Sequence, residues 1–362
     1  MRPLNLSHLP LAEIRLQRFL RHASFTALFC ISLSITLLAC HLGLRLVLGL
    51  ETNPVPALKI LSIWLAACTA WFALPASTQR QLFARPHLIP LVPLITLFSP
   101  LLSFLIGEAM FAVLLLIALT GTIRLLRHAT FTGKEWAFLL CVSFLHALIF
   151  FFWANADQAY YVIGDAPLTF VTNYNGLSGT TEFAYSGTLH RDTYFHASII
   201  HMLQKWGAIS TGLDGLVPVR YHIGAHLWFA GIGRSVGAEP LLVLPASILI
   251  LIYPATLFMC LVGVLCLRRH LPGSPVFYVI TTVVFVAIAN AIAQFISIYA
   301  SVTAAPSILV LLAAFPCLVH ASRRHLQHAS LVPLLRNIAG FSALMSLLKI
   351  YTGVYYGLAG GY

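Results

Sequence analysis

The chain has 362 residues, of which 59% are hydrophobic and only 9% are Asp, Glu, Lys or Arg, against roughly 25% charged residues in an ordinary soluble domain. The net charge is +11, but the sequence has no basic run with the interleaved aromatic residues that bind single-stranded nucleic acid. This scarcity of charge excludes a water-exposed fold and predicts an all-α, multi-pass membrane protein that does not bind nucleic acid.

The first 23 residues form a basic amphipathic segment that we expect in the cytoplasm. Arg15, Arg18 and Arg21 recur every three residues among the apolar residues from Leu11 to Leu20. This pattern suits an interfacial helix on anionic lipid. It fits equally well an ordinary flank that only sets the orientation of the first crossing.

Nine apolar stretches are long enough to cross a bilayer, which takes about 20 residues each. They lie at about 24–48, 57–74, 88–106, 109–126, 136–154, 240–267, 275–300, 304–321 and 338–358. The third and fourth are separated only by Gly107 and Glu108, a spacing that fits a tight hairpin or a re-entrant pair. We therefore expect a five-helix membrane region at 24–154, a large outer loop at 155–238, and three to four further helices at 239–362.

The basic residues indicate the orientation of these crossings. With the N-terminus in the cytoplasm, 14 of the 21 Lys and Arg residues fall on the cytoplasmic side, as the positive-inside rule requires. The loop at 155–238 then lies on the extracytoplasmic face. We expect a cell membrane location, with the bacterial inner membrane as the specific expectation.

The outer loop is the expected place for chemistry, because it holds five of the ten acidic residues and five of the 15 histidines. Its first third is rich in Gly, Thr, Asn and Tyr, a composition that predicts irregular structure. The pattern from Arg191 to Trp206 then predicts an amphipathic helix lying against the membrane. Tyr221 to Val236 predicts a second interfacial helix that ends at Gly237.

Asp192 and His196 are the strongest catalytic candidates, because residues four apart share one face of a helix. Arg191 precedes them and could bind a phosphate through two parallel hydrogen bonds. A carboxylate oriented by a histidine suits general-base catalysis on a lipid phosphate. An acidic residue favoured by the helix dipole is the competing structural explanation.

His222 and His226 form a weaker candidate site for a divalent metal, since an HxxxH spacing can direct two imidazoles at one ion. Either Asp192 or His196 could supply a third ligand. Asp165, in Gly-Asp-Ala-Pro, could bind a metal or a sugar, although an Asx turn before proline explains it equally well. We place Glu108 at the outer boundary of the membrane, because a carboxylate facing lipid is costly.

Part of the chain resembles the GT-C fold glycosyltransferases. The resemblance covers about residues 188–275 and is carried by the run Arg-Asp-Thr-Tyr-Phe-His at 191–196, the amphipathic helix after it, Tyr221-His222, the helix to Gly237, and a long apolar segment with a basic end at 267–273. It departs from the family where the frequent Asp-Glu pair is Asp192-Thr193. The acidic residue also follows the fifth crossing instead of the first.

This resemblance implies an enzyme that moves a sugar from a polyprenyl-phosphate donor to an acceptor on the outer face. Asp192 would deprotonate the acceptor, and Arg191 or Arg220 would contact the donor phosphate. Tyr221 and His222, in the turn before the second loop helix, would lie near the substrate.

Two other functions remain open at this point. A transporter or flippase for a lipid or small solute would need ionisable residues and broken helices inside the membrane; prolines in the third crossing and amides in the seventh are candidates, but intramembrane carboxylates are missing. A non-catalytic assembly protein of the cell envelope is also compatible with the sequence.

Overall fold

The computed structural model of the chain describes residues 11–47, 54–162, 191–212, 218, 223–267, 304–328 and 332–348. The described part is all-helical, without a β-strand, so the predicted fold class is confirmed at this level. Asp165, Arg220, Tyr221 and His222 lie outside the described residues.

Thirteen α-helices make up most of the described residues. They are α1 Leu11–Val47, α2 Pro54–Ala73, α3 Ala76–Ala84, α4 Leu91–Phe98, α5 Ser103–Ile106, α6 Ala109–His128, α7 Gly133–Val162, α8 Arg191–Trp206, α9 Gly224–Val236, α10 Pro240–Ala246, α11 Tyr253–Leu267, α12 Ala304–His328 and α13 Val332–Leu348. Two 3-10 turns, Pro86–Leu88 and Ser99–Leu102, flank α4, and a π-helical segment, Ser247–Ile252, joins α10 to α11.

Six stretches in the described part are long and apolar enough to cross a membrane. They are Glu13–Gly43, Pro54–Ala73, Pro86–Ile106, Ala109–His128, Pro240–Leu267 and Pro306–Arg323. Each overlaps one of the nine predicted crossings. Of the other three, the fifth falls on α7, the seventh lies outside the described residues, and the ninth begins within α13. The count of nine stays a prediction.

The basic N-terminal segment does not form a helix of its own, because α1 runs without a break from Leu11 into the first candidate span. Leu16 and Leu20 are buried, and the Arg21 guanidinium donates to both carboxylate oxygens of Glu135, at 2.7 and 2.9 Å. Glu135 also forms a capping box with Thr132 at the start of α7. Residues 11–23 of the segment thus pack as part of the bundle, and residues 1–10 lie outside the described part of the chain.

Hydrogen bonds identify which helix ends lie together. At one end, which we call the loop end, Lys59 of α2 donates to the carbonyl oxygen of Val236 in α9 at 2.8 Å. At the other, the arginine end, Arg124 of α6 donates at 3.1 and 2.8 Å to the carbonyl oxygens of Ala73, the last residue of α2, and Leu74. Helices α2 and α6 are therefore antiparallel neighbours that connect the two ends.

The third candidate span is broken by proline. Pro100 cannot donate to the carbonyl oxygen of Thr96 four residues earlier, and the Ser99 hydroxyl donates to that oxygen instead, at 2.7 Å. The span ends at Gly107, whose φ of 61° allows the reversal into α6. A tight turn therefore joins the two stretches, which fits both the predicted hairpin and the predicted re-entrant pair, and it brings Glu108 to the loop end beside Gly237.

Candidate functional site

The two helices α8 and α9, from the loop predicted at 155–238, pack against each other at the loop end of the bundle. Helix α8 has the bounds predicted for it, Arg191–Trp206. Helix α9 begins at Gly224, three residues later than predicted, and ends as expected. Gly237 takes the left-handed conformation, with φ 66° and ψ 46°, and the N–H of Ala238 donates to the carbonyl oxygen of Gly233, which closes the helix with a Schellman motif.

A hydrogen bond between His196 and His226 joins the two helices. The distance from His196 Nδ1 to His226 Nε2 is 2.8 Å, and the ring centroids lie 5.0 Å apart. The exposed fraction is 7% for His196 and zero for His226. In this pair one ring nitrogen donates and the other accepts, so at least one imidazole carries a proton on the shared nitrogen. The contact crosses 30 residues of sequence and places both rings in the interface of α8 and α9.

The bond between His196 and His226 bears on the metal site predicted from the HxxxH spacing of His222 and His226. The structure places His226 against His196, whereas His222 lies outside the described residues. Two nitrogens bound to one tetrahedral ion at 2.0 to 2.1 Å would lie about 3.3 Å apart, a longer distance than the one observed. In the described part of the chain no three His, Cys, Asp or Glu side chains form a metal-binding group. The described residues therefore do not fit a divalent metal.

Asp192 lies in the first turn of α8, one turn before His196. Its side chain and that of Arg191 are not among those described, so their predicted roles rest on the helical register. Asp192 and His196 lie four residues apart on this one helix, as the sequence predicted. Since the imidazole of His196 is buried against α9, the start of α8 is held near that interface.

Polar contacts beyond the histidine pair hold α8 to the end of α9 and to the segment that follows it. Arg234 donates to the carbonyl oxygen of Gln204 at 3.2 Å, and the Gln204 amide donates to the carbonyl oxygen of Ala238 at 3.4 Å. His201 Nδ1 lies 3.3 Å from a carboxylate oxygen of Glu239. The C-terminal half of α8 is thus fixed by side chains from both sides of Gly237.

Helix α9 is buried on nearly all sides, which corrects the expectation that it lies on the membrane surface. Ten of its 13 residues are buried. The Ser103 hydroxyl donates to the carbonyl oxygen of Gly231 at 2.9 Å, and a β-carbon at Gly231 would lie only 2.7 Å from the carbonyl oxygen of Pro100. Small residues let the backbones of α9 and the broken third span approach closely. Hydrophobicity alone could not distinguish burial in protein from burial in lipid.

Lys59 and Trp228 are two residues at the loop end that the sequence did not single out. The Lys59 ammonium, besides its bond to Val236, lies 5.6 Å from the ring centroid of Phe111. The Trp228 indole N–H donates to the carbonyl oxygen of Leu97. A lone lysine in the first two turns of an apolar helix was the available signal for Lys59. No comparable signal marked Trp228 among the apolar residues of α9.

Comparisons with known protein families, curated proteins and solved structures give no match for this chain.

Proposed function

We propose that the chain is an integral membrane glycosyltransferase that moves a sugar from a polyprenyl-phosphate donor to an acceptor on the extracytoplasmic face. The observation that supports this most is the buried bond between His196 and His226, which fixes the helix that begins with Arg191 and Asp192. Catalytic groups need such a rigid support, because misplacement by about 1 Å costs on the order of a hundredfold in rate.

In the proposed reaction Asp192 acts as the general base. Its carboxylate takes the proton from an acceptor hydroxyl while the oxygen attacks the anomeric carbon of the donor sugar. A new glycosidic C–O bond forms, the C–O bond to the polyprenyl phosphate breaks, and the phosphate leaves with its electron pair. The cations Arg191 and Arg220 would balance the charge on the departing phosphate.

His196 has a positioning role in this proposal. The bond to His226 occupies Nδ1 of His196. Such a bond sets the tautomer and the direction of the imidazole. No step of the reaction passes through a metal.

Sugar transfer by the purified protein in nanodiscs tests the proposal. A panel of polyprenyl-phosphate hexoses and pentoses, with and without acceptor lipid, would be assayed for release of polyprenyl phosphate. We expect release by the unaltered protein and a loss of at least about a hundredfold in D192N, the size typical of losing a general base. Glu13→Gln is the matched control, because this carboxylate lies near Arg80 at the arginine end, at 3.9 Å, and so away from the loop helices.

Two results would contradict the proposal. One is full activity of D192N; the other is no release from any donor while the protein carries a labelled polyprenyl-phosphate sugar from one leaflet to the other. The second result would favour the transporter class.

The orientation has a separate test. Trp206, at the end of α8, and Arg80, at the arginine end, are both well exposed, at 65% for the whole residue and 66% for the side chain. In intact cells a membrane-impermeant maleimide should label W206C and spare R80C until the membrane is opened. The reverse pattern would place the loop in the cytoplasm and remove an extracytoplasmic reaction.

A further inference from the structure

Helix α7 and the π-helical segment contact each other within the bundle. The π-helical segment, Ser247–Ile252, lies between Pro245 and Pro254, and all six of its residues are buried. π-Helical turns inside α-helices are uncommon and often lie at functional sites. The first residue after this segment is Tyr253.

Tyr253 and His146 share a hydrogen bond between the phenol oxygen and Nε2 of the imidazole. Their rings are nearly parallel, with centroids 5.7 Å apart and an interplanar angle of 16°. The phenol is the stronger acid of the two neutral groups, so we assign it as the donor and Nε2 as the acceptor. The imidazole proton of His146 then resides on Nδ1.

The pair lies far from the charged ends of the bundle. The nearest acidic residues on α7 are Glu135, eleven residues earlier, and Asp157, eleven residues later, and eleven residues span about 16 Å along a helix. The apolar stretches packed against α7 or the π-helical segment, 24–44, 60–73 and 240–267, contain no Asp, Glu, Lys or Arg. In the described middle of α7, the Ser143 hydroxyl donates to the carbonyl oxygen of Leu140 at 3.1 Å and lies 2.7 Å from the Ser32 hydroxyl.

His146 lies on α7 at the boundary between the side that packs in the bundle and the exposed side. It is partly exposed, between buried Ala147 and the exposed side chains of Leu145 and Ile149. Within the described part of the chain its one hydrogen bond is the one to Tyr253. The Nδ1–H is therefore a donor at a surface that faces hydrocarbon, where an unsatisfied polar group costs several kcal/mol.

We propose that His146, held by Tyr253, binds a lipid-soluble molecule through a neutral carbonyl oxygen that accepts the Nδ1–H. The ligand class is a ketone or quinone on an isoprenoid or other apolar tail. Phospholipid esters are excluded as the partner because they lie near the interface, about 15 Å from the bilayer centre. A phosphate is excluded because an ion at this depth is too costly.

Photo-crosslinking with lipids of defined depth tests this site. The probes are phosphatidylcholines that carry a benzophenone, itself a ketone, either in the middle of the bilayer or near the headgroup. We expect the deep probe, in nanodiscs of the full chain, to label α7 and α11 around His146 and Tyr253, and decylubiquinone to compete for this labelling. The shallow probe should not label these positions.

Variants separate a binding site from a structural contact. H146L should weaken competition by decylubiquinone about fivefold, the size expected for one neutral hydrogen bond. H146Q, which keeps an N–H donor, should retain most of it. Ser143→Ala is the control, because it removes the neighbouring contact with Ser32 without changing the imidazole.

Folding of each variant is checked by its elution as a single species in detergent. If H146L aggregates, the comparison of H146Q with Tyr253→Phe decides instead. Tyr253→Phe should weaken competition by decylubiquinone, because the imidazole of His146 loses the phenol that holds it. H146Q should retain most of the competition, because its amide still donates an N–H. The proposal would be overturned if decylubiquinone competed equally well in all variants. It would also be overturned if both the deep and the shallow probe labelled these positions and decylubiquinone left the labelling unchanged.

Discussion

The indole N–H of Trp228 donates a hydrogen bond of 2.7 Å to the carbonyl oxygen of Leu97, and both groups are buried. In the 3-10 turn that follows Leu97, the donor for this oxygen would come from residue 100, which is a proline without an N–H. Trp228 therefore supplies from α9 the donor that the third span lacks. It also stacks on Phe98, with ring centroids 5.1 Å apart. The missing backbone donor in the third span thus specifies where α9 packs against it.

Replacing Trp228 by Phe should destabilise the protein, because the new ring keeps most of the apolar contact but leaves the Leu97 oxygen without this donor. We expect a loss of about 1–3 kcal/mol in the free energy of unfolding, the cost of an unsatisfied buried acceptor. Chemical denaturation in detergent micelles measures it. Trp206→Phe, the same change at an exposed side chain, should have little effect. Equal stability of the two variants would contradict this account of the docking.

Gly231→Ala should disrupt the approach of α9 to the third span. The added β-carbon would lie 2.7 and 2.9 Å from the carbonyl oxygen and carbon of Pro100, and these are backbone atoms that cannot rotate away. Overpacking of this kind costs typically about 1–3 kcal/mol. Gly340→Ala in α13 is the matched control, because nothing lies within 4 Å of its β-carbon position. Unfolding midpoints of the two variants in the same detergent make the comparison, and a Gly231→Ala protein as stable as the control would exclude close packing here.

Helix positions were largely predictable from the sequence. Apolar stretches and turn residues determine where a helix begins and ends, as the bounds of α8 and the stop at Gly237 demonstrate. What each helix packs against was not predictable in the same way. The composition of α9 suits lipid and protein equally, and its burial depends on contacts with Pro100 and Ser103, more than 120 residues earlier in the chain.

In the candidate site, too, relations within one helix were predictable from the sequence, and contacts between helices were not. The i, i+4 rule related Asp192 to His196 and His222 to His226 within each helix. The bond from His196 to His226 depends on how α8 and α9 cross, which a one-dimensional spacing does not contain. Lys59 escaped notice for a similar reason, because its partner carbonyl is a backbone atom 177 residues away.

The histidine pair should behave as one energetic unit. His196→Leu or His226→Leu alone leaves the other buried imidazole without this partner, at an expected cost of about 1–3 kcal/mol each. The double variant should lose clearly less than the sum, because it replaces both polar groups by apolar ones. A double-mutant cycle on the free energy of unfolding measures the coupling. Strict additivity would indicate that the two rings contribute independently, against the geometry observed.

Lys59 should stabilise the junction between α2 and α9. Its ammonium binds the carbonyl oxygen of Val236 in the last turn of α9, where a cation also interacts favourably with the helix dipole. Lys59→Met keeps the apolar stem and removes the charge, so we expect a loss of about 1.5–3 kcal/mol in the free energy of unfolding, the range for a hydrogen bond with a charged donor. Lys205→Met is the control, because Lys205 is exposed and near the ring of Trp206 at 5.5 Å. If both variants unfold at the same denaturant concentration as the unaltered protein, the Lys59 contact does not hold α9 in place, and the packing around Trp228 and Gly231 must do so without it.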